Sequence, residues 1–391
     1  MSAALTSIIV TDAHSPLAPS SAYRWVFCEG SVAFEAAYPE TEEDESAAEG
    51  TAAHHAGAEM LLGREPGTVA PNGVVLTDEM LDGAQMWVDD VRSIGAPATE
   101  LQVEQRVYMP RIHAQAYGTP DTWLFVPSTG TVYVWDFKFG HGVVEHFENW
   151  QLIAYVCGIL DLLGIDGRND EHIWCDLRVV QPRAYHREGR VRSWRVRASD
   201  LRGYFNRLNL AAHAAMRPGA TTRTGTYCLH CSAAAHCETL RKAITHAADW
   251  LGGSAAEELP PQAAGAEMEL LEHLATLVKA RRTARTADLS ARLRRGEGVP
   301  GWCLENTTEA KAWKPEDKDK VIALGPLVGL DLAKEPAPIT PTQALALAKK
   351  SGVDASVISD YVYNPSTGQK LARDTHLLNR ARAGFGVNLE Q

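Results

Sequence analysis

Apolar and polar positions change period along the first 250 residues. Over Asp78–Ile94 and Asn149–Leu163 the apolar residues recur at helical spacing. Over Leu101–Tyr108, Thr122–Val126, Thr131–Phe139 and Ile173–Val180, short runs rich in Val, Ile, Trp, Tyr and Phe predict strands. The stretch Glu49–His54 opens a further helix with His54 near its start. Strands followed by helices predict an α/β or α+β core, and α/β with a mixed sheet flanked by helices is the expectation. Small residues and prolines between Gly252 and Gly265 predict a linker. Beyond it, Met268, Leu271, Leu274 and Leu277 return to helical spacing, and Thr342–Lys350 and Asp354–Val362 predict short helices around Ser351 and Gly352. The expected plan is one domain over 1–250, a linker over 251–265 and a mostly helical domain over 266–391.

The most informative pattern is a hairpin. Thr122–Val126 and Thr131–Phe137 flank Pro127-Ser128-Thr129-Gly130, a four-residue turn. If Val126 pairs with Thr131, Phe125 faces Val132, Trp123 faces Val134, and Asp121 faces Asp136. Lys138 stands two residues beyond Asp136 on the same face. The other face carries Leu124, Val126, Tyr133, Trp135 and Phe137, so both faces predict burial. Like charges opposed across a hairpin repel at a Cβ separation of roughly 5 Å. Two such carboxylates need a cation between them, or one must take a proton. Oxygen donors at this spacing suit magnesium or manganese, and a neighbouring lysine suits work on a phosphodiester. The plain alternative is Asp121 in a turn and an Asp136–Lys138 pair on a solvated face.

Charge and cysteines sharpen the picture. The net charge of −11 runs against a nucleic-acid partner, but it is unevenly distributed. Six acids and no base fall within Pro39–Glu49, nine arginines lie between Arg178 and Arg207, and seven Lys or Arg lie between Lys279 and Arg295. Met1–Val10 has neither the basic start nor the apolar length of a signal peptide, and no stretch approaches the roughly 20 apolar residues of a membrane span, so a cytoplasmic setting is expected. The cysteine count is seven. Cys228 and Cys231 form a CxxC pair, Cys237 follows after five residues, and Cys28 is the fourth candidate ligand. Four thiolates suit an iron–sulfur cluster or structural zinc, and the single CxxC pair favours the cluster. Cys157, Cys175 and Cys303 sit in apolar or strand-like surroundings that predict core roles. Downstream of the hairpin, Gln151 and Tyr155 are four apart on one helix face.

In order, Cys28, His54, Asp121, Asp136-x-Lys138, Gln151-xxx-Tyr155 and Cys228-xx-Cys231-xxxxx-Cys237 resemble the iron–sulfur branch of the RecB-like PD-(D/E)XK nucleases. That branch includes the AddB nuclease domain and the CRISPR-associated iron–sulfur exonucleases. Ser20-Ser21-Ala22-x-Arg24-Trp25 and Glu49-Gly50-Thr51-x-x-His54 are also similar to a group of phage and prophage replication and recombination proteins. The resemblance covers roughly residues 15–245. It implies that His54, Asp121 and Asp136 bind magnesium or manganese and that Lys138 is catalytic. It implies further that Gln151 and Tyr155 touch DNA, and that Cys28, Cys228, Cys231 and Cys237 hold a [4Fe–4S] cluster, with zinc as the alternative. Asp136 stands where many relatives carry Glu. The implied activity is DNA hydrolysis from an end, alongside an annealing protein or helicase. A structure-specific endonuclease and a non-catalytic DNA-binding subunit are the rivals.

Overall fold

The computed structural model describes residues 15–38, 45–95, 100–251 and 259–308, and later 312–313, 317–330, 332–334, 337–338, 341–354, 356–363 and 366–373. The chain divides into two compact units, Met1–Ala284 and Arg285–Gln391.

The first unit is built on the hairpin. Strands β4 (Thr122–Val126) and β5 (Thr131–Phe137) pair antiparallel with Val126 opposite Thr131, Phe125 opposite Val132 and Trp123 opposite Val134, the register that the turn length predicts. Gly130 turns the chain at φ +58, a conformation that strains residues with a Cβ. Parallel strands need a long crossover, and helix α5 (Trp150–Leu162) supplies it between β5 and β6 (Trp174–Val180). Strand β7 (Val191–Arg197) lies antiparallel on β6, and β1 (Gln102–Val103) lies antiparallel on β4. The sheet order is β1-β4-β5-β6-β7, with β5–β6 its only parallel pair.

The pleat sorts side chains to two cores. Val132, Val134, Leu177 and Val179 pack against α5 and against α6 (Arg202–Ala215) through Leu152, Ile153, Val156, Phe205 and Leu208. Leu124, Trp135, Phe137 and Val180 pack on the opposite face against α3 (Glu45–Leu61) and α4 (Asp78–Ser93). Helices on both faces explain why β5 reads as a nearly continuous apolar run rather than an alternation. Asp136 shares its pleat with Val132 and Val134, so its side chain is delivered to the α5 face. Capping fixes where these helices start. Thr77 accepts a hydrogen bond from Met80 N–H ahead of α4, and Asn149 accepts from Gln151 and Leu152 N–H ahead of α5.

Several elements depart from the sequence pattern. Leu101–Tyr108 divides into β1 and β2 (Val107–Tyr108), because Glu104 adopts φ 48 between them; β2 pairs with β3 (Tyr117–Gly118). Helix α3 is already helical at Glu45, which places His54 in its middle rather than near its start. Strand β7 has no clear periodic signal, since Arg192, Arg195 and Arg197 obscure the alternation, and it leads into α6, which buries Phe205, Leu208, Ala212 and Ala215 at helical spacing. Pro261–Gly265, expected within the linker, opens the 34-residue helix α8 (Pro261–Arg294). Leu277 and Ala280 of that helix are buried with Cys28 and Cys237, which draws the first unit on to Ala284. The acidic run Glu40–Asp44 lies outside the described residues. Two short helices, α1 (Ala22–Phe27) and α2 (Ser31–Ala37), and the later α7 (Glu238–Leu251) complete the unit.

The second unit carries helices, as expected of a mostly helical C-terminal domain. Helices α9 (Lys318–Val328) and α10 (Pro341–Ser351) bury Val321, Ala344 and Ala348 with Leu332 and Ile358. Gly352, at φ +69, closes α10. The region also holds strands that the pattern did not foretell, with Trp302–Thr308 paired to Ser366–Arg373. No helix among the described residues is long and apolar enough to cross a membrane.

Candidate active site at the end of the central hairpin

Asp121 immediately precedes β4, Asp136 lies on β5, and Lys138 follows β5, held to the sheet by its N–H donating to Val180 C=O at 2.9 Å. The Asp121 backbone is fixed from the other side, where Glu104 N–H donates to its carbonyl at 3.0 Å. Glu104 itself is exposed, and its contribution is this backbone contact. The side chains meet as the register requires. Asp121 Oδ2 accepts from Phe137 N–H at 2.6 Å. Lys138 Nζ lies 3.0 Å from Asp136 Oδ1, and Gln151 Nε2 donates to that same oxygen at 2.8 Å. His54, reaching in from α3, places Nδ1 3.4 Å from Asp121 Oδ1. Asp136 is 1% exposed, and its second oxygen, Oδ2, is buried without a hydrogen-bond partner.

The electrostatics of the four groups follow from burial. Burial, reinforced by repulsion from Asp121, pushes the Asp136 carboxyl above the usual carboxylate range against the pull of Lys138. For Asp121, burial is overcome by the charge and hydrogen bond of His54, by Lys138 and by Phe137 N–H, so its carboxyl lies below that range. Burial alone would lower His54 and Lys138. The carboxylates outweigh it and raise both, Asp121 acting mainly on His54 and Asp136 mainly on Lys138. One carboxylate is therefore well compensated, and the other retains an unsatisfied oxygen in a dry place. An uncompensated buried charge costs several kcal/mol.

Tyr155 comes close to this group but not as a surface residue. It is buried, and its hydroxyl donates to Thr119 C=O at 3.0 Å. Burial, then the charges of Asp121 and Asp136, raise its pKa. In this arrangement it shapes the wall behind the carboxylates, and the expected contact of Tyr155 with DNA has no exposed face to work through. Gln151, expected to touch DNA, spends its amide on Asp136. Among the described residues no three of His, Cys, Asp and Glu form, as they stand, a group that could hold a metal ion. Lys138, Gln151 and Phe137 N–H occupy the carboxylate oxygens instead. The donors still suit a hard divalent cation, since two carboxylates and an imidazole converge and one buried oxygen lacks a partner.

A device that the sequence pattern gave no sign of holds the loop after Lys138. Gln181 is fully buried. Its amide donates to Gly140 and Gly142 C=O at 3.0 and 2.6 Å, and its Oε1 accepts from Val144 N–H and Arg192. Arg192 also donates to Val144 and Gly189 C=O at 2.9 Å each. Buried polar residues in strands carry no periodic signal, so only the structure reveals them.

The four cysteines gather elsewhere in the first unit. Cys28 follows α1 and accepts from Arg223 N–H at 3.3 Å, Cys228 and Cys231 sit in consecutive short turns, and Cys237 precedes α7 and accepts from Leu240 N–H at 3.4 Å. All four line one small cavity with Phe34 and Tyr227. None forms a disulfide. Burial raises the thiols of Cys28 and Cys228 and pushes Cys231 up to about 12. Thiols raised in this way lose their protons to a metal rather than to water, so Cys28, Cys228 and Cys231 suit metal ligation. Cys157 and Cys175 are fully buried in the sheet core, as expected, with pKa values of about 12.

The nine arginines from Arg178 to Arg207 do not form one face. Arg178 is paired with Asp90 and Asp176, Arg183 with Glu49 and Glu79, and Arg202 with Asp170. Arg195 and Arg197 lie over Trp174, and Arg207 lies over Phe27 and Trp150. A family model described as a protein of unknown function (DUF2800) matches residues 14–376.

Proposed function

The chain belongs to the DUF2800 family, whose description assigns no activity, and we propose that it is a metal-dependent DNA nuclease. The observation that carries this is the carboxylate pair. Asp121 and Asp136 converge from adjacent strands, Lys138 pairs with Asp136 and His54 of α3 with Asp121, and Asp136 Oδ2 lacks a partner. His54, Asp121 and Asp136 would hold magnesium or manganese. A divalent ion there would supply the charge that acidifies a water and stabilises a leaving phosphodiester oxygen. Lys138, kept protonated by the carboxylates, would neutralise a phosphate oxygen. Gln151 orients Asp136 through its hydrogen bond, and Tyr155 excludes water behind the pair.

The five-stranded mixed sheet flanked by helices is consistent with a PD-(D/E)XK-like core. The resemblance of the ordered motifs to iron–sulfur nucleases suggests degradation from DNA ends, in a host cytoplasm, beside an annealing protein or helicase. The cavity shared by Cys28, Cys228, Cys231 and Cys237 favours a structural iron–sulfur cluster, with zinc as the alternative. The second reading is a structure-specific endonuclease. End-labelled linear DNA and covalently closed circles, incubated with and without manganese, decide between them. Linear DNA is expected to be consumed while circles survive; rapid cutting of relaxed circles favours the endonuclease. Asp136→Ala and Lys138→Ala are each expected to lower cleavage by several orders of magnitude, since a metal lowers water's pKa from about 15.7 towards 7. Wild-type cleavage by either variant overturns the assignment.

A further inference from the structure

A line of aromatic rings runs from the loop after Lys138 towards the cysteine cavity. Phe147, in the loop that follows Lys138, packs on Trp194 of β7 at 5.1 Å between centroids. Trp194 meets Tyr204 of α6 at 6.0 Å, and Tyr204 meets Trp150, the first residue of α5, at 5.7 Å. Trp150 meets Phe27 of α1 at 6.0 Å, and Phe27 meets Tyr23 at 5.4 Å. The line ends at a surface on both sides, with Phe147 57% and Tyr23 45% exposed, and the rings between them are half-buried.

Packing between helices accounts for the inner rings. It does not account for Phe147, whose ring stays in water, where an apolar group is costly. Arg207 lies over Phe27 and Trp150 at 4.8 and 5.2 Å, and among the described residues it has no carboxylate partner. An exposed cation above half-buried rings, in a line that ends in exposed ones, is a combination that receives stacked bases and their phosphates. One acid stands in the line, Glu148, and Tyr204 O–H donates to it. Trp150 is followed directly by Gln151, which bonds Asp136, so the line passes one residue along α5 from the candidate site.

We infer that this line is the docking track for single-stranded DNA on its way to or from Asp136 and Lys138. The inference rests on the nuclease reading, and it names the form of substrate which that site takes. Bases stack along Phe147, Trp194 and Trp150, and Arg207 pairs with a phosphate. Stacking tolerates any base, so the track predicts little sequence preference. Phe147 and Arg207 lie outside the carboxylate group and are exposed, so replacing them leaves the fold intact.

The test uses the full chain carrying Asp136→Asn, so that DNA stays whole, and measures binding of fluorescein-labelled dT20 and of a duplex of equal length by anisotropy. Phe147→Ala is expected to weaken dT20 binding roughly 5- to 100-fold and Phe147→Trp to keep it. Arg207→Ala is expected to flatten the dependence of log affinity on log salt by about 0.7, the loss of one single-strand phosphate contact. Duplex binding is expected to change less than dT20 binding. If Phe147→Ala and Arg207→Ala both bind dT20 within twofold of the parent, or if the duplex suffers equally, the track is overturned. Cleavage by the Lys138→Ala protein reports separately. Lost cleavage with unchanged dT20 binding in the track variants sinks the track alone. Retained cleavage with weakened binding in those variants sinks the nuclease chemistry and leaves the track standing.

Discussion

Asp136 carries the larger electrostatic burden of the carboxylate pair. Asp121 has His54 and Phe137 N–H on its oxygens, whereas Asp136 has Lys138 and Gln151 both on Oδ1 and nothing on Oδ2. Replacing Asp136 by Asn keeps an acceptor for Gln151 and removes the charge opposed to Asp121. Without divalent ions, Asp136→Asn is therefore expected to unfold at the wild-type temperature or above it, although Lys138 loses its closest partner. Manganese reverses the order. A ligand at one hundred times its dissociation constant stabilises the native state by about 2.7 kcal/mol, so wild type should melt later with manganese while Asp136→Asn barely shifts. Thermal melts of both proteins with and without manganese check this; an unshifted wild type removes the basis for a metal at this pair. A residue-level pattern made this pair legible. Two strands, a four-residue turn and a period of two place Asp121 opposite Asp136 before any coordinates are known. Nothing comparable flagged Gln181 or Arg192, whose importance lies in the carbonyls they bind.

Helix α5 ties the site to the core, and it is also the element whose sequence speaks most clearly. Every residue from Leu152 to Leu160 is buried, and Asn149 closes its first turn by accepting from Gln151 and Leu152 N–H. Losing that cap in Asn149→Ala is expected to cost about 1 kcal/mol. Because the cap holds the turn that carries Gln151, cleavage should fall more than this stability loss alone accounts for. Parallel measurements of the urea midpoint and cleavage rate check the split; equal, small effects would confine Asn149 to the helix. Further along, Gly158 lets α5 approach β2. A Cβ there would lie 2.5 Å from Val107 Cγ1 and 2.6 Å from Tyr108 O, the latter a backbone atom that cannot rotate away. Gly158→Ala, which raises helix propensity by about 1 kcal/mol in isolation, should nevertheless destabilise the protein, because overpacking of 1–3 kcal/mol outweighs it. A higher melting point for this variant would show that the two elements separate freely. The elements legible in sequence were α4 and α5, with one dominant period, and β4, β5 and β6, whose runs are rich in branched and aromatic residues. Strand β7 was hidden because arginine occupies both its buried and its exposed positions, and α8 because its opening residues have the composition of a linker.

At the scale of the first unit, the cysteines join residues from its two ends. Cys28 lies beside α1, and Cys228, Cys231 and Cys237 arrive 200 to 209 residues later, after the whole sheet has been formed. The apolar cluster around them also takes in α8 through Leu277 and Ala280, so the cysteines lie within a small core of their own. A group ligated by all four would close a loop of that length. In the chain-entropy account a cross-link of this span is worth on the order of 5 kcal/mol, because the removed entropy grows with the logarithm of the loop. Hydrolysis of a phosphodiester transfers no electrons, so the contribution expected of the proposed cluster is structural. Cys28→Ala is therefore expected to lose visible absorbance, melt earlier, and become protease-sensitive near both ends of the first unit. Its cleavage should fall through loss of the frame around Asp121 and Asp136, with manganese stabilisation of the remaining folded fraction retained. Metal analysis of anaerobically purified wild type decides the ligand, because iron with inorganic sulfide is the expected result, whereas stoichiometric zinc without iron would replace the cluster by a zinc site and leave the carboxylate pair untouched.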